Sequence, residues 1–164
     1  MGETTRLLVW AERGQETLVR RAVEAANVQL VTIGSGSTTA ATELSDALGV
    51  TRAIDFRQAV QRDDVDAVWI AAPDAIAADE RRLLRTLGKP VFSNEPRPVQ
   101  IADVIQDPEE ARTAVFVPLL RRTRGFRSIV DELDAFGAPR SFALEIAGPS
   151  SAGSLFARLF DAMD

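Results

Sequence analysis

Short apolar runs alternate with amphipathic stretches from the first residues of the chain onward. Leu7-Leu8-Val9-Trp10-Ala11 reads as a buried strand, followed by a helix through Glu16 to Val23. Gln29-Leu30-Val31-Thr32-Ile33 is a second strand, with a second helix from Thr38 to Leu48. Ala53-Ile54-Asp55-Phe56 reads as a short third strand with a brief helix behind it. Ala67 to Ala72 is a fourth strand closed by Pro73, and a helix over Ala75–Leu87 follows. Pro90 to Ser93 and Ala114 to Val117 are a fifth and a sixth strand. Continuous apolar strands separated by amphipathic helices predict a parallel sheet covered on both faces. Right-handed crossovers make that an α/β, doubly wound (Rossmann) fold.

After Pro118 the pattern changes. Arg121 to Phe136 reads as one more helix, Gly137-Ala138-Pro139 as a turn, and Ser141 to Ile146 as a strand with one covered face. Gly148 to Gly153 is a small-residue loop, and a further helix opens at Ser154. The expected organisation is a Rossmann domain over residues 1–120 and the truncated start of an α+β second domain over 121–164. Phe142, Leu144, Ile146, Leu155, Phe156, Leu159 and Phe160 give that second piece more apolar surface than it can cover alone. A homodimer built partly from residues after Pro139 is therefore expected.

The formal net charge of −5 argues against nucleic acid as a partner, because phosphate binding needs a local excess of Lys and Arg. No apolar run approaches the ~20 residues that cross a bilayer, and Met1 to Arg6 lacks the pattern of a signal peptide. With no cysteine there is neither a disulfide framework nor a thiolate metal site. No membrane partner and a cytoplasmic location are expected.

The chemical inventory is narrow. The chain has no His, Cys or Tyr, and its one lysine is Lys89. Those four types supply most acids, bases and nucleophiles that work near neutral pH. Carboxylates, arginines and hydroxyls remain. A cluster of Asp74, Glu95, Asp161 and Asp164 would offer only oxygen ligands for a hard cation, and no metal site is assigned.

Asp64-Val65-Asp66-Ala67-Val68-Trp69-Ile70-Ala71-Ala72-Pro73-Asp74 resembles the fourth strand of the glucose–fructose oxidoreductase / inositol dehydrogenase (Gfo/Idh/MocA) family, typically D-V-D-A-V-x-I-A-T-P-N. Gly88 to Pro96 is similar to that family's G-K-H-V-x-x-E-K-P segment, and Phe126 to Ile146 to its passage into the second domain. The resemblance implies an NAD(P)-dependent oxidoreductase of sugars or polyols. It places Ala72, Pro73 and Asn94, at the ends of the fourth and fifth strands, beside the cofactor.

Three departures accompany it. The family's G-x-G-x-x-G/A turn lets backbone approach a pyrophosphate. Here Ala11, Arg13 and Glu16 take the glycine positions of the run Ala11-Glu12-Arg13-Gly14-Gln15-Glu16, unless a shifted turn uses Gly14. Arg13 would add bulk at the phosphate seat. Glu12 and Glu16 would add negative charge, and two unit charges about 5 Å apart repel by about 3 kcal/mol at an effective dielectric near 20. Glu95 stands where the resemblance puts the catalytic lysine, and a carboxylate does not stabilise a developing alkoxide. Asp161 and Asp164 stand at the histidine and aspartate of a G-x-H-x-x-D motif.

Ser35, Ser37 and Thr38 close the second strand where NAD-preferring proteins carry an acidic residue for the ribose 2′-hydroxyl. Hydroxyls and free amides there suit a 2′-phosphate, which favours NADP over NAD. The reading is a Gfo/Idh/MocA-like, catalytically degenerate protein with weak binding of a nucleotide or small-molecule ligand. Binding of no cofactor at all is equally compatible. An active NADP-dependent sugar or polyol oxidoreductase using Glu95 as its acid/base group and a noncatalytic assembly module are the alternatives.

Overall fold

Ten elements carry the described part of the chain, β1 (Arg6–Trp10), α1 (Glu16–Ala26), β2 (Gln29–Gly34), α2 (Thr38–Leu48), β3 (Thr51–Arg52), α3 (Phe56–Val60), β4 (Ala67–Ile70), α4 (Ala78–Leu87), β5 (Val91–Ser93) and β6 (Val115–Phe116). The computed structural model describes residues 4–72, 76–94, 115–116, 124–125, 127–128 and 131–132. The strands form one six-stranded sheet in the order β3-β2-β1-β4-β5-β6, and every pairing is parallel. This is the doubly wound α/β order of Rossmann domains.

Alternation along β1 and β4 builds two cores. Leu8, Trp10, Val68 and Ile70 face one side, where they pack with Phe56 and Val60 of α3 and Leu84 of α4. Leu7, Val9, Ala67 and Trp69 face the other, against Val19 of α1 and Leu44 of α2. Both sheet faces are covered, so these strands read as unbroken apolar runs. Each fully buried Leu or Val contributes about 1.5–3 kcal/mol to holding the layers together.

The pairing of β1 with β2 slips between Leu7 and Leu8, which oppose Leu30 and Thr32. The slip puts Thr32 and Gly34 opposite Leu8 and Trp10, on the face covered by α3 and α4. Trp10 uses that placement. A Cβ at Gly34 would fall 2.1 Å from Cζ3 of the indole, so glycine is the residue that lets the ring lie against β2.

The third strand lies earlier than its apolar residues suggest. β3 is Thr51–Arg52, and Ala53–Phe56 is the entry to α3 rather than a strand. Asp55 Oδ1 accepts the Gln58 N–H at 2.9 Å and so caps the helix, while Ala53 and Phe56 turn into the core. Helix α1 runs past Val23 to Ala26 and ends on Asn27 in the left-handed region. The proposed helix start at Ala75, the helix over 121–136, the strand over 141–146 and everything after it fall largely or wholly outside the described residues. No helix among the described residues is long and apolar enough to cross a membrane.

At the amino end of the sheet, Lys89 Nζ donates to the carbonyls of Val60 and Arg62 at 2.9 and 2.7 Å. The single lysine therefore holds the end of α3, on the side of the sheet away from the strands' carboxyl ends. Arg6 and Asp66 meet beside it. Asp66 accepts from the Arg6 backbone N–H at 2.8 Å and from its guanidinium at 2.7 and 3.0 Å. These hydrogen bonds pull the Asp66 carboxyl down from 3.8 to about 2. A depressed carboxyl contributes stability that is present above its unfolded pKa and lost as pH falls through the folded one. Asp66→Asn should therefore flatten the fall in melting temperature between pH 3.8 and about 2. The pair is exposed, so the effect is small and shrinks with added salt. Thermal melts of both proteins across that window, giving parallel curves, would remove this role.

Candidate functional site

The strand order reverses between β1, which leads to β2, and β4, which leads to β5. Open α/β sheets bind ligands at such a switch point, outside the carboxyl ends of the strands. The turns that follow β1 and β2 and the end of β4 at Ala71 and Ala72 lie there, and their chemistry decides what the crevice holds.

After β1 the chain makes a turn over Glu12 to Gln15, with Gln15 N–H donating to the Glu12 carbonyl at 3.2 Å. Gly14 sits at its third position with φ +83°, while Arg13 keeps an ordinary φ, the combination of a type II turn. The turn therefore bends at Gly14. Ala11 is fully buried and donates its N–H to the Gly34 carbonyl at 2.9 Å, continuing the β1–β2 contact by one residue. Ala72 is also buried, and it shares the Trp10 carbonyl with Ala71 at 3.0 and 2.8 Å.

Arg13 does not press on the turn it belongs to. Its side chain is 75% exposed and reaches α2, where Nη2 pairs with Glu43 Oε1 at 2.7 Å. The bulk expected against a phosphate seat is directed sideways instead. Beside it a hollow of about 440 Å³ opens between the two turns, lined by Glu12 and Arg13 on one wall and by Ser35, Gly36, Ser37, Thr39 and Ala40 on the other. Ser35 is buried at its floor, and its Oγ accepts the Ser37 N–H at 3.5 Å. Ser37 Oγ caps α2 by accepting the Ala40 N–H, also at 3.5 Å. Thr38, the first residue of α2, is exposed and lies outside this lining, where Thr39 takes its place. A smaller hollow of about 300 Å³ continues past Arg13 between α1 and α2, with Glu16 and Glu43 on its wall.

The other side of β1 is crossed by a chain of hydrogen bonds. Gln15 Oε1 accepts the Glu12 N–H at 2.8 Å, and Gln15 Nε2 donates to the Ala71 carbonyl at 3.3 Å. Asn94 Nδ2 donates to the same carbonyl at 3.2 Å, while Asn94 Oδ1 accepts from the Trp69 indole N–H at 2.8 Å. Asn94 is thus bound into the sheet end. Gln15 and Glu43 escape a reading of the sequence, because each acquires its place from a residue on another element.

Of the residues singled out from sequence, Ala11, Glu12, Arg13, Gly14, Ser35, Ser37, Thr38, Ala72 and Asn94 gather around the carboxyl ends of β1, β2, β4 and β5. Glu12, Arg13, Ser35 and Ser37 share the larger hollow. Pro73, Asp74, Glu95, Asp161 and Asp164 lie outside the described residues.

No protein-family model matches the sequence, and no curated protein matches it. Solved structures share the fold. KijD10, a 3-ketoreductase from Actinomadura kijaniata in complex with NADP and TDP-benzene, superposes with a TM-score of 0.61 at 22% identity over 81% of this chain and 43% of that one. The myo-inositol dehydrogenase from Lactobacillus casei, in complex with NAD(H) and myo-inositol, gives 0.63 at 14% identity, over 81% and 42%. The scyllo-inositol dehydrogenase from the same organism, with bound NAD(H) and scyllo-inositol, gives 0.61 at 21% identity, over 79% and 42%. The chain spans less than half the length of each of these enzymes. Fold and strand order together define an α/β domain of the Rossmann class.

Proposed function

We propose that the chain is a Gfo/Idh/MocA-like Rossmann protein that binds the 2′-phosphorylated adenosine end of NADP weakly and carries out no hydride transfer. The observation that carries this is the larger hollow at the end of β2. Ser35, Ser37, Thr39 and Arg13 line it, and Ile33-Gly34-Ser35-Gly36 puts no carboxylate at the strand end. An acidic residue at that point would bind a ribose 2′-hydroxyl and repel a 2′-phosphate; hydroxyls with an arginine do the reverse. The dinucleotides in the structural neighbours support the ligand class. Glu12 beside the hollow supports weak affinity, since its carboxylate opposes a bound phosphate.

The absence of hydride transfer rests on the inventory. The one lysine, Lys89, is engaged at the amino end of the sheet. Glu95 replaces the lysine that the family resemblance would put at the reacting carbon, and the chain has no histidine. Purified chain mixed with NADP⁺ and a panel of sugars, inositols and hydroxy acids should show no increase in reduced-nicotinamide absorbance above buffer. Turnover that disappears in Glu95→Gln would overturn this and establish an oxidoreductase with a carboxylate base.

A further inference from the structure

The hollow and the hydrogen-bonded chain lie on opposite sides of the β1 carboxyl end. The sheet order is β2-β1-β4-β5 across this region, with the hollow over β2 and the clasp of Gln15, Ala71, Asn94 and Trp69 over β4 and β5. A dinucleotide at a switch point must cross β1, with its adenosine on the β2 side and its second nucleotide on the β4 side. The crossing relies on free backbone N–H groups in the first turn to hold the pyrophosphate. Here the Glu12 N–H is already donated to Gln15 Oε1, and the Gln15 carboxamide spans from that turn to the Ala71 carbonyl.

We infer that this site takes a 2′-phosphorylated adenosine mononucleotide, and that the Gln15 clasp shuts the nicotinamide half of an intact dinucleotide out of the crevice. The inference rests on the nucleotide reading above and narrows it to a ligand class. Two features of the clasp carry it. Gln15 satisfies a donor and an acceptor at the two ends of the gap, so the polar groups on this side of β1 already have partners. Asn94 occupies the second lone pair of the Ala71 carbonyl and is itself fixed by the Trp69 indole. An entering nicotinamide ribose must therefore break bonds without inheriting free ones.

Calorimetric titration of the whole chain with adenosine 2′,5′-bisphosphate and with NADPH tests this directly. The wild-type protein should bind the two with similar affinity, because the nicotinamide half adds nothing. Gln15→Ala removes two hydrogen bonds from the competing closed state and should tighten NADPH by about tenfold more than it tightens the bisphosphate. Wild-type protein that binds NADPH tenfold or more tighter than the bisphosphate would overturn the inference while leaving the nucleotide reading intact. So would a Gln15→Ala variant whose ratio of the two affinities stays at the wild-type value. Failure of both ligands to bind the wild-type protein would overturn the nucleotide reading, and the inference with it.

Discussion

Gly34→Val is expected to destabilise the domain by about 3 kcal/mol or more, the upper end of what overpacking costs in a closed core. A Cβ at this position would stand 2.1 Å from Cζ3 and 2.4 Å from Cε3 of Trp10. The indole has little room to retreat. It is 4% exposed and meets Phe56 edge to face, with ring centroids 5.0 Å apart and planes at 84°. For a chain of this size each kcal/mol lowers the melting midpoint by about 2–4 °C, so a fall of about 6–12 °C is expected. Adding Trp10→Leu to Gly34→Val should recover part of the loss, a coupling of at least about 1 kcal/mol between touching residues. The same two residues set the height of the turns at the site. The Gly34 carbonyl receives the Ala11 N–H, and the Trp10 carbonyl receives those of Ala71 and Ala72. Circular-dichroism melts that leave Gly34→Val at the wild-type midpoint would mean that Trp10 is not seated on Gly34.

The second large effect concerns charge. Arg13→Glu should weaken NADPH binding by about tenfold or more and leave NADH nearly unchanged, since a solvent-screened attraction of about 0–1 kcal/mol is replaced by a repulsion of similar size. Arg13 is tied to Glu43 in the free protein, but both side chains are exposed, at 75% and 42%. Exposed pairs contribute only about 0–1 kcal/mol. A phosphate dianion, which can offer two oxygens at once to the planar guanidinium fork, outcompetes a single solvated carboxylate. Titrations of wild-type and Arg13→Glu protein at two salt concentrations measure this. The difference should shrink as salt rises. Unchanged NADPH affinity in Arg13→Glu would remove Arg13 from the site.

Most of the sheet is legible in the sequence because its central strands are buried on both faces. Leu7 to Trp10 and Ala67 to Ile70 have no polar side to confuse the pattern, and their spacing forces helices between them. The third strand is misread for the same reason inverted. Ala53 and Phe56 are apolar because they fill the core under α3, whereas the two residues that pair with β2, Thr51 and Arg52, lie exposed at the sheet edge. The place of Ser35 and Ser37 in the turn from β2 to α2 is legible as well, since small hydroxylated residues favour a strand-to-helix turn. The direction of Arg13 and the clasp of Gln15 are not. Each depends on a partner that adjacency in the chain does not reveal, Glu43 on α2 and Ala71 at the end of β4. Lys89 shows the limit most plainly. Its sequence position marks it as a turn lysine, and only the packed sheet shows it holding two carbonyls at the end of α3.

The central claim is that the hollow lined by Glu12, Arg13, Ser35, Ser37 and Thr39 recognises a 2′-phosphate on adenosine. Calorimetric titration of the wild-type chain with NADPH and NADH side by side tests it most directly. The account predicts saturable but weak binding of NADPH, with a Kd well above the micromolar range, and NADH weaker by about tenfold or more, the loss of a charge-assisted contact. NADH binding as tightly as NADPH, or either dinucleotide binding at low micromolar concentration, would contradict it.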